Sequence, residues 1–247
     1  GTGGAPLLDA LQRYGVDTGL IRALDQPCGH TVIQVTEAGE NCILLYGGTN
    51  TCLTESFVDE TLCRFAPGDV LLLQNEVNGI PYLIRQAVRR GLRVAFNAAP
   101  MAPEVADYPL ELLSWLVINE GEGAALAGTQ APADILDRLA QRCPDTQLLL
   151  TLGAGGSVCR AGGETWSCGV FPVRPVDTTA AGDTFLGYYL GALLAGAPIP
   201  EALRLSSAAS ALCIQRRGAA DAIPLLEEVR AALAAGSLGE MGKGASL

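Results

Sequence analysis

The sequence predicts an α/β fold, a three-layer sandwich in which a mainly parallel central sheet is covered by helices on both faces. From Glu55 onward, helical patterns alternate with short strands, the order expected of repeated strand–helix units. The strands are runs such as Val70 to Leu73, Leu116 to Ile118 and Gln147 to Leu152, rich in Leu and Val instead of alternating with polar residues. Strands buried on both faces have that composition. Apolar residues make up 49% of the 247 and charged ones 17%, so the chain is globular and long enough for a sizeable core.

Each element follows from a local pattern. Pro6 to Tyr14 carries Leu7, Leu8 and Leu11 on one helical face and stops at Gly15. Gly19 to Leu24 reads as a short strand. His30 to Val35 and Asn41 to Tyr46 are two β-rich runs joined by Thr36 to Glu40, a β-hairpin. This hairpin, residues 30–46, stands outside the strand–helix alternation, as either a flap over a site or an extra edge of the main sheet. A helix from Glu55 to Phe65 leads through Pro67-Gly68-Asp69 to the strand Val70 to Leu73. A helix from Ile80 to Arg90, stopped by Gly91, precedes the strand Leu92 to Phe96. Tyr108 to Trp115 reads as a helix, Leu116 to Ile118 as a strand, Pro132 to Arg142 as a helix and Gln147 to Leu152 as a strand. Val158 to Trp166 reads as a hairpin turning at Ala161-Gly162-Gly163. In Gly169 to Pro175 every second residue is apolar, as on a half-buried strand. Thr184 to Ala195, Pro200 to Gln215 and Pro224 to Ala235 are helices, and residues 236–247, rich in Gly and Ser, are a flexible tail. No linker is long enough to divide the chain, so residues 1–247 are expected to form a single domain.

Composition excludes several functions. The net charge of −10 argues against a nucleic-acid or anionic-membrane surface. The longest apolar stretch, Phe185 to Ile199, is broken by Gly187, Gly191 and Gly196 and is too short for a membrane span. No basic stretch precedes an apolar one, so no secretion signal is seen, and a cytoplasmic location is expected. Cysteines at 28, 42, 52, 63, 143, 159, 168 and 213 include no Cys-x-x-Cys pair; free thiols in a reducing compartment are the expected state. His30 is the only histidine, so a histidine-rich metal site is impossible.

In open α/β sheets ligands gather beyond the carboxyl ends of the strands. Four such ends carry polar or glycine-rich residues: Gln74-Asn75-Glu76, Asn97 to Pro100, Asn119-Glu120-Gly121-Glu122 and Thr151-Leu152-Gly153-Ala154-Gly155-Gly156. A fifth stretch, Val176 to Gly187, runs from the Gly169–Pro175 segment through small residues into a helix that opens with Asp183. The N–H groups and partial positive charge of a helix N-terminus attract anions, and small residues let a phosphate approach the backbone. Asp183 is then placed to take a proton from a nucleophile attacking there; the alternative is a carboxylate that only caps the helix. Two rival phosphate motifs fail. The only lysine, Lys243, is followed by Gly244 and so completes no P-loop. Gly153-Ala154-Gly155-Gly156-Ser157-Val158 lacks the third glycine of a dinucleotide fingerprint and leads into a hairpin.

Asp177-Thr178-Thr179-Ala180-Ala181-Gly182-Asp183-Thr184-Phe185-Leu186-Gly187 resembles the C-terminal motif of the ribokinase-like carbohydrate kinases, the phosphofructokinase-B family, written D-T-x-[GA]-A-G-D-x-F-x-G. The resemblance implies the ribokinase-like form of the sandwich, with residues 30–46 as part of a β lid that closes over substrate and pairs two subunits into a homodimer. It implies in-line transfer of the γ-phosphate of ATP to a primary hydroxyl of a sugar. Asp183 would be the base, and the N–H groups of Ala180, Ala181 and Gly182 would stabilise developing charge. Asn119-x-x-Glu122 matches the family's N-x-x-E, with Asn119 by the nucleotide and Glu122 supporting Mg²⁺ through water. Thr151, Leu152, Gly153, Ala154, Gly155 and Gly156 match its nucleotide loop, and Gly182 and Ser207 complete the nucleotide set. Glu76 matches a carboxylate facing sugar hydroxyls. A K⁺ site would draw on Asp177, Thr179, Cys213, Arg216, Gly218 and Ala222, although Ala222 offers no side-chain oxygen. Ribose is the substrate implied first, with another sugar or a nucleoside as alternatives. The chain begins Gly1-Thr2-Gly3-Gly4, inside the family pattern, without the usual first strand, its sugar-binding Asp and the G-G-K-G-A-N-type motif. It is therefore expected to be either an active kinase seen without its first residues or an inactive form that keeps nucleotide binding or serves as a partner subunit.

Overall fold

A computed structural model describes residues 3–35 and 41–245. The chain divides into two compact units, residues 1–113 and 114–247.

The first unit opens with α1 (Ala5–Arg13), started by Pro6 and ended at Tyr14. The predicted strand at Gly19 to Leu24 does not form. A side-chain turn takes its place: the Gly19 N–H donates to Asp17 Oδ1 at 2.8 Å. Arg22 is then drawn to α2 (Glu55–Leu62), pairing with Glu60 at 2.6 Å and lying 4.4 Å over the Phe57 ring. β1 (His30–Val35) and β2 (Asn41–Tyr46) pair antiparallel with His30 opposite Tyr46 and Val35 opposite Asn41. That is the predicted hairpin; its turn, residues 36–40, lies outside the described residues. Thr54 caps α2 by accepting from the Phe57 N–H at 3.2 Å.

β3 (Val70–Gln74), α3 (Ile80–Arg89) and β4 (Arg93–Asn97) form a strand–helix–strand unit with β3 and β4 parallel. Ile80, Leu83, Ile84 and Ala87 repeat at helical spacing along α3, and all are buried. Val94, Ala95 and Phe96 of β4 are fully enclosed. The helix expected over Tyr108 to Trp115 is replaced by short 3₁₀ turns at Pro103–Asp107 and Leu110–Leu112. Pro109 is the reason. It donates no N–H and forces the residue before it out of helical geometry, and Tyr108 accordingly sits at ψ 153°.

The second unit is built on β5 (Trp115–Asn119), β6 (Gln147–Thr151), β7 (Ser157–Ala161) and β8 (Glu164–Cys168). β5 and β6 are parallel, whereas β6–β7 and β7–β8 are antiparallel. α4 (Glu120–Ala127) and α5 (Pro132–Arg142) follow β5, and α6 (Ala181–Leu194), α7 (Ile199–Cys213) and α8 (Leu226–Ala235) close the chain. Leu116, Ile118, Leu148, Leu149, Leu150 and Val158 have almost no exposure, in keeping with their unbroken apolar runs. A polar side chain is buried beside them: the Tyr189 hydroxyl accepts from Gln147 Nε2 and lies 3.1 Å from Cys159 Sγ. Burial pushes the Cys159 thiol up to about 11, so it is an inert structural thiol.

Gly169 to Pro175 does not form the predicted strand. Pro172 and Pro175 bring no N–H to a ladder, so apolar alternation there has no pairing to go with it. Residues 236–245, read from the sequence as a flexible tail, have Leu238 buried and the Gly242 N–H bonded to the Val170 carbonyl at 2.9 Å; residues 246 and 247 lie outside the described residues.

Candidate functional site

In the second unit the register of β5 and β6 sets Asn119 directly opposite Thr151. The two polar strand ends singled out from the sequence therefore emerge side by side. Asn119 caps α4. Its Oδ1 accepts from the Glu122 N–H at 2.9 Å, and Glu122 Oε2 accepts from the Asn119 N–H at 2.8 Å. This reciprocal pair is a capping box. Asn119 Nδ2 also donates to Glu122 Oε1 at 2.9 Å, so both carboxylate oxygens are engaged. Glu122 is 8% exposed. Burial raises its carboxyl above the usual range, and the bond from the Asn119 backbone opposes that rise.

Thr151 ends β6 and leads into a single 3₁₀ turn, Gly153–Gly155, whose residues are exposed. The loop closes on itself: the Leu152 N–H donates to the Gly156 carbonyl at 2.8 Å, and the Gly155 N–H to the Leu152 carbonyl at 2.7 Å. Gly156 has φ 93° and ψ −135°, and a Cβ there would lie 2.1 Å from the Cys168 carbonyl oxygen. Only glycine fits.

At the start of α6, Ala180 has φ 60° and ψ 11°, the only left-handed non-glycine residue among those described. The Ala181 N–H donates to the Thr178 carbonyl at 3.3 Å, and the Thr184 N–H to the Ala180 carbonyl at 2.9 Å. Asp183 stands exposed in the first turn, and a Cβ added at Gly182 would meet nothing within 4 Å. The opening is held from behind by Ser210 of α7, whose hydroxyl donates to the Ala181 carbonyl at 2.9 Å. Sequence reasoning missed Ser210; the hint was a run of hydroxyls, Ser206, Ser207 and Ser210, on an otherwise apolar helix.

Asp177 clasps two loops. Its Oδ1 accepts from the Thr179 N–H at 2.9 Å and its Oδ2 from the Gly218 N–H at 3.1 Å. Hydrogen bonds from the Thr179 side chain, then from the Thr179 and Gly218 backbones, hold its carboxyl down to about 2. Cys213 Sγ lies 3.9 Å from the Thr179 carbonyl, so Asp177, Thr179, Cys213 and Gly218, four of the residues named for a potassium site, lie close together. The rest fit less well. The Cys213 carbonyl already accepts from the Arg216 N–H at 3.0 Å, and the Arg216 guanidinium is committed to Glu228 at 2.7 Å. Ala222 is buried with no side-chain oxygen. Both Asp177 oxygens and the Thr179 carbonyl already accept hydrogen bonds, as do both Glu122 oxygens, so a monovalent cation at Asp177 and Thr179 would share those oxygens, and a magnesium ion would be reached from Glu122 only through water. Ser207 is buried in α7, and its hydroxyl donates to the Gly169 carbonyl at 2.9 Å.

The first unit holds the remaining strand ends. Gln74 is opposite Asn97, and Asn75, named in the sequence only as part of this polar strand end and given no role, ties the two ends together. Its N–H donates to the Ala99 carbonyl at 2.8 Å and its Nδ2 to the Pro100 carbonyl at 2.9 Å, while its Oδ1 accepts from the Tyr108 hydroxyl at 3.0 Å. Glu76 is exposed just beyond.

Comparison with known proteins decides the family of the chain. The family model described as pfkB family carbohydrate kinase matches residues 2–226. The chain belongs to this family. Its members are phosphotransferases with an alcohol acceptor, and the chain is accordingly a sugar kinase of the pfkB family. Among curated members, ribokinase of Haemophilus influenzae is 33% identical over 232 residues, which are 91% of this chain and 76% of that one. Among solved pfkB-type structures, ribokinase of Thermotoga maritima superposes with a TM-score of 0.79 at 29% identity, covering 95% of this chain and 78% of that one. Arabidopsis thaliana ribokinase, solved in complex with ribose and ATP, gives 0.70 at 29% identity and covers 85% and 70%. The family fold is the α/β sandwich expected from the alternating pattern. Among the described residues no helix is long and apolar enough to cross a membrane.

Proposed function

We propose that this family member transfers the γ-phosphate of ATP to a primary hydroxyl of ribose. The observation that carries the reading is the opening of α6. Left-handed Ala180 opens a 14-residue helix whose first turn has open space at Gly182 and carries the exposed Asp183 carboxylate. In phosphoryl transfer the protein contributes mainly positioning and charge stabilisation. Asp183 accepts the proton of the attacking sugar hydroxyl. The N–H groups at Ala180, Ala181 and Gly182 meet the negative charge that builds on the transferred phosphoryl oxygens. Asn119 and the loop Thr151 to Gly156 hold the nucleotide, and Glu76 hydrogen-bonds sugar hydroxyls. When bound, Mg²⁺ would be supported through water by Glu122 and would neutralise phosphate charge, and K⁺ would be held by Asp177 and Thr179 and would add positive charge. Ribose is favoured over other acceptors because the relatives that match at 33% and 29% identity are ribokinases, one of them solved with ribose and ATP.

The test is Asp183→Ala, assayed by coupled ADP release with ribose and a panel of other sugars. Loss of a positioned base lowers turnover by about 10²- to 10⁴-fold while ATP affinity stays nearly unchanged. Turnover retained at the wild-type level would remove Asp183 from the role of base. If no sugar is turned over by the unaltered protein, the assignment of ribose fails.

A further inference from the structure

The family match ends at residue 226, yet the chain beyond it is packed against the glycine loop's neighbours. After α8, Leu238 joins Phe171, Ala208, Ala209, Ala211 and Val229 in one buried apolar cluster. The backbone then meets residues 167–170. Met241 Sδ lies 3.5 Å from Cys168 Sγ, and the Gly242 N–H donates to the Val170 carbonyl at 2.9 Å. The approach is closer than side chains allow. A Cβ on Gly169 would stand 1.9 Å from the Gly242 carbonyl oxygen, and one on Gly244 would stand 2.9 Å from the Cys168 nitrogen. Gly169 is not left-handed, so its own backbone would accept alanine; the contact with Gly242 is what forbids it.

The same two residues set the glycine loop. A Cβ on Gly156 would lie 2.1 Å from the Cys168 carbonyl oxygen and 3.0 Å from Gly169 Cα, and the Gly169 carbonyl is pinned by the Ser207 hydroxyl at 2.9 Å. Cys168 and Gly169 are thus shared between the loop Gly153–Gly156 and the segment Leu238 to Ala245. We propose that this segment is a strap that positions the glycine loop through Cys168 and Gly169, so that nucleotide affinity depends on it. The inference rests on reading residues 151–156 as the nucleotide loop. Without the strap, the Val170 carbonyl loses its donor and Gly169 its packing, and the stretch that abuts Gly156 is free to shift. Backbone donors that must meet phosphate oxygens tolerate little displacement. Linkage makes the effect reciprocal: nucleotide should slow hydrogen exchange at the Gly242 amide by the same factor.

Two variants reach the strap by different routes. Deleting residues 241–247 removes it while leaving Leu238 in its cluster, and Gly169→Ala expels it sterically. ADP binding is measured by calorimetry on each variant and on the two combined. Each is expected to weaken ADP about tenfold, within the coupling seen between groups in contact. The combination should be no weaker than either alone, because both remove one contact. The KM for the sugar should be unchanged, which a general loosening of the unit would not allow. Unchanged ADP affinity on deletion, or losses that simply multiply, would overturn the strap's role. Failure of the unaltered protein to bind ADP would overturn the kinase reading and the strap with it. ADP binding that ignores the deletion would overturn the strap alone.

Discussion

Ala180 offers a test of the site's geometry whose sign runs against the usual rule. Glycine in place of alanine inside a right-handed helix costs about 1 kcal/mol. Ala180 instead sits at φ 60°, where an L-side chain lies about 1–2 kcal/mol above glycine. Against that relief, glycine's extra freedom in the unfolded chain costs about 0.4–1 kcal/mol. Ala180→Gly is therefore expected to stabilise the second unit by about 0.5–1 kcal/mol. Ala180→Val, which puts a branched side chain at positive φ, should destabilise it by about 2 kcal/mol or more. Both tryptophans, Trp115 and Trp166, lie in this unit, so their fluorescence follows its unfolding in urea. A shift in midpoint at constant slope reports stability. Turnover should survive the glycine, since the left-handed turn into α6 is kept, and fall with the valine. A loss of about 1 kcal/mol for Ala180→Gly would refute the left-handed turn and the anion site built on it.

Asp177 makes a pH prediction. Its carboxyl is held at about 2, below the ordinary 3.8, so its contribution is fully present above 3.8 and is lost as pH falls toward about 2. Asp177→Asn should flatten that part of the stability–pH curve, and an unchanged acid limb would contradict the clasp on Thr179 and Gly218. Asn119→Ala removes the capping box and should cost about 1–2 kcal/mol together with a rise in KM for ATP; loss of stability with unchanged KM would leave Asn119 a cap only.

How much of this was legible depended on whether the pattern was local. The hairpin strands His30–Val35 and Asn41–Tyr46 and the helix Pro132–Arg142 have the bounds read from sequence, because β-branched runs and a proline start are local signals. The errors fall where a tertiary partner or a proline overrules the pattern. Gly19 to Leu24 has strand-like residues but follows an Asp17 turn and is drawn toward Glu60 and Phe57. Tyr108 to Trp115 has a helical stripe broken by Pro109. Gly169 to Pro175 alternates as a strand does, but two of its residues cannot donate to a ladder.

The same division runs through the site. The motif around Asp177–Asp183, the glycine loop and the Asn119-x-x-Glu122 pair could be singled out as candidates because each shows particular residue types at short spacing. Their chemistry does not require distant partners to be recognised. Tertiary structure alone decided that Asn119 stands beside Thr151, that Asp177 joins Thr179 to Gly218, and that Ser210 backs the opening of α6. It also turned a glycine- and serine-rich end into a segment packed on Cys168 and Gly169. Glycine specifies freedom in a sequence; whether that freedom becomes a loose tail or a close backbone contact depends on what lies beside it.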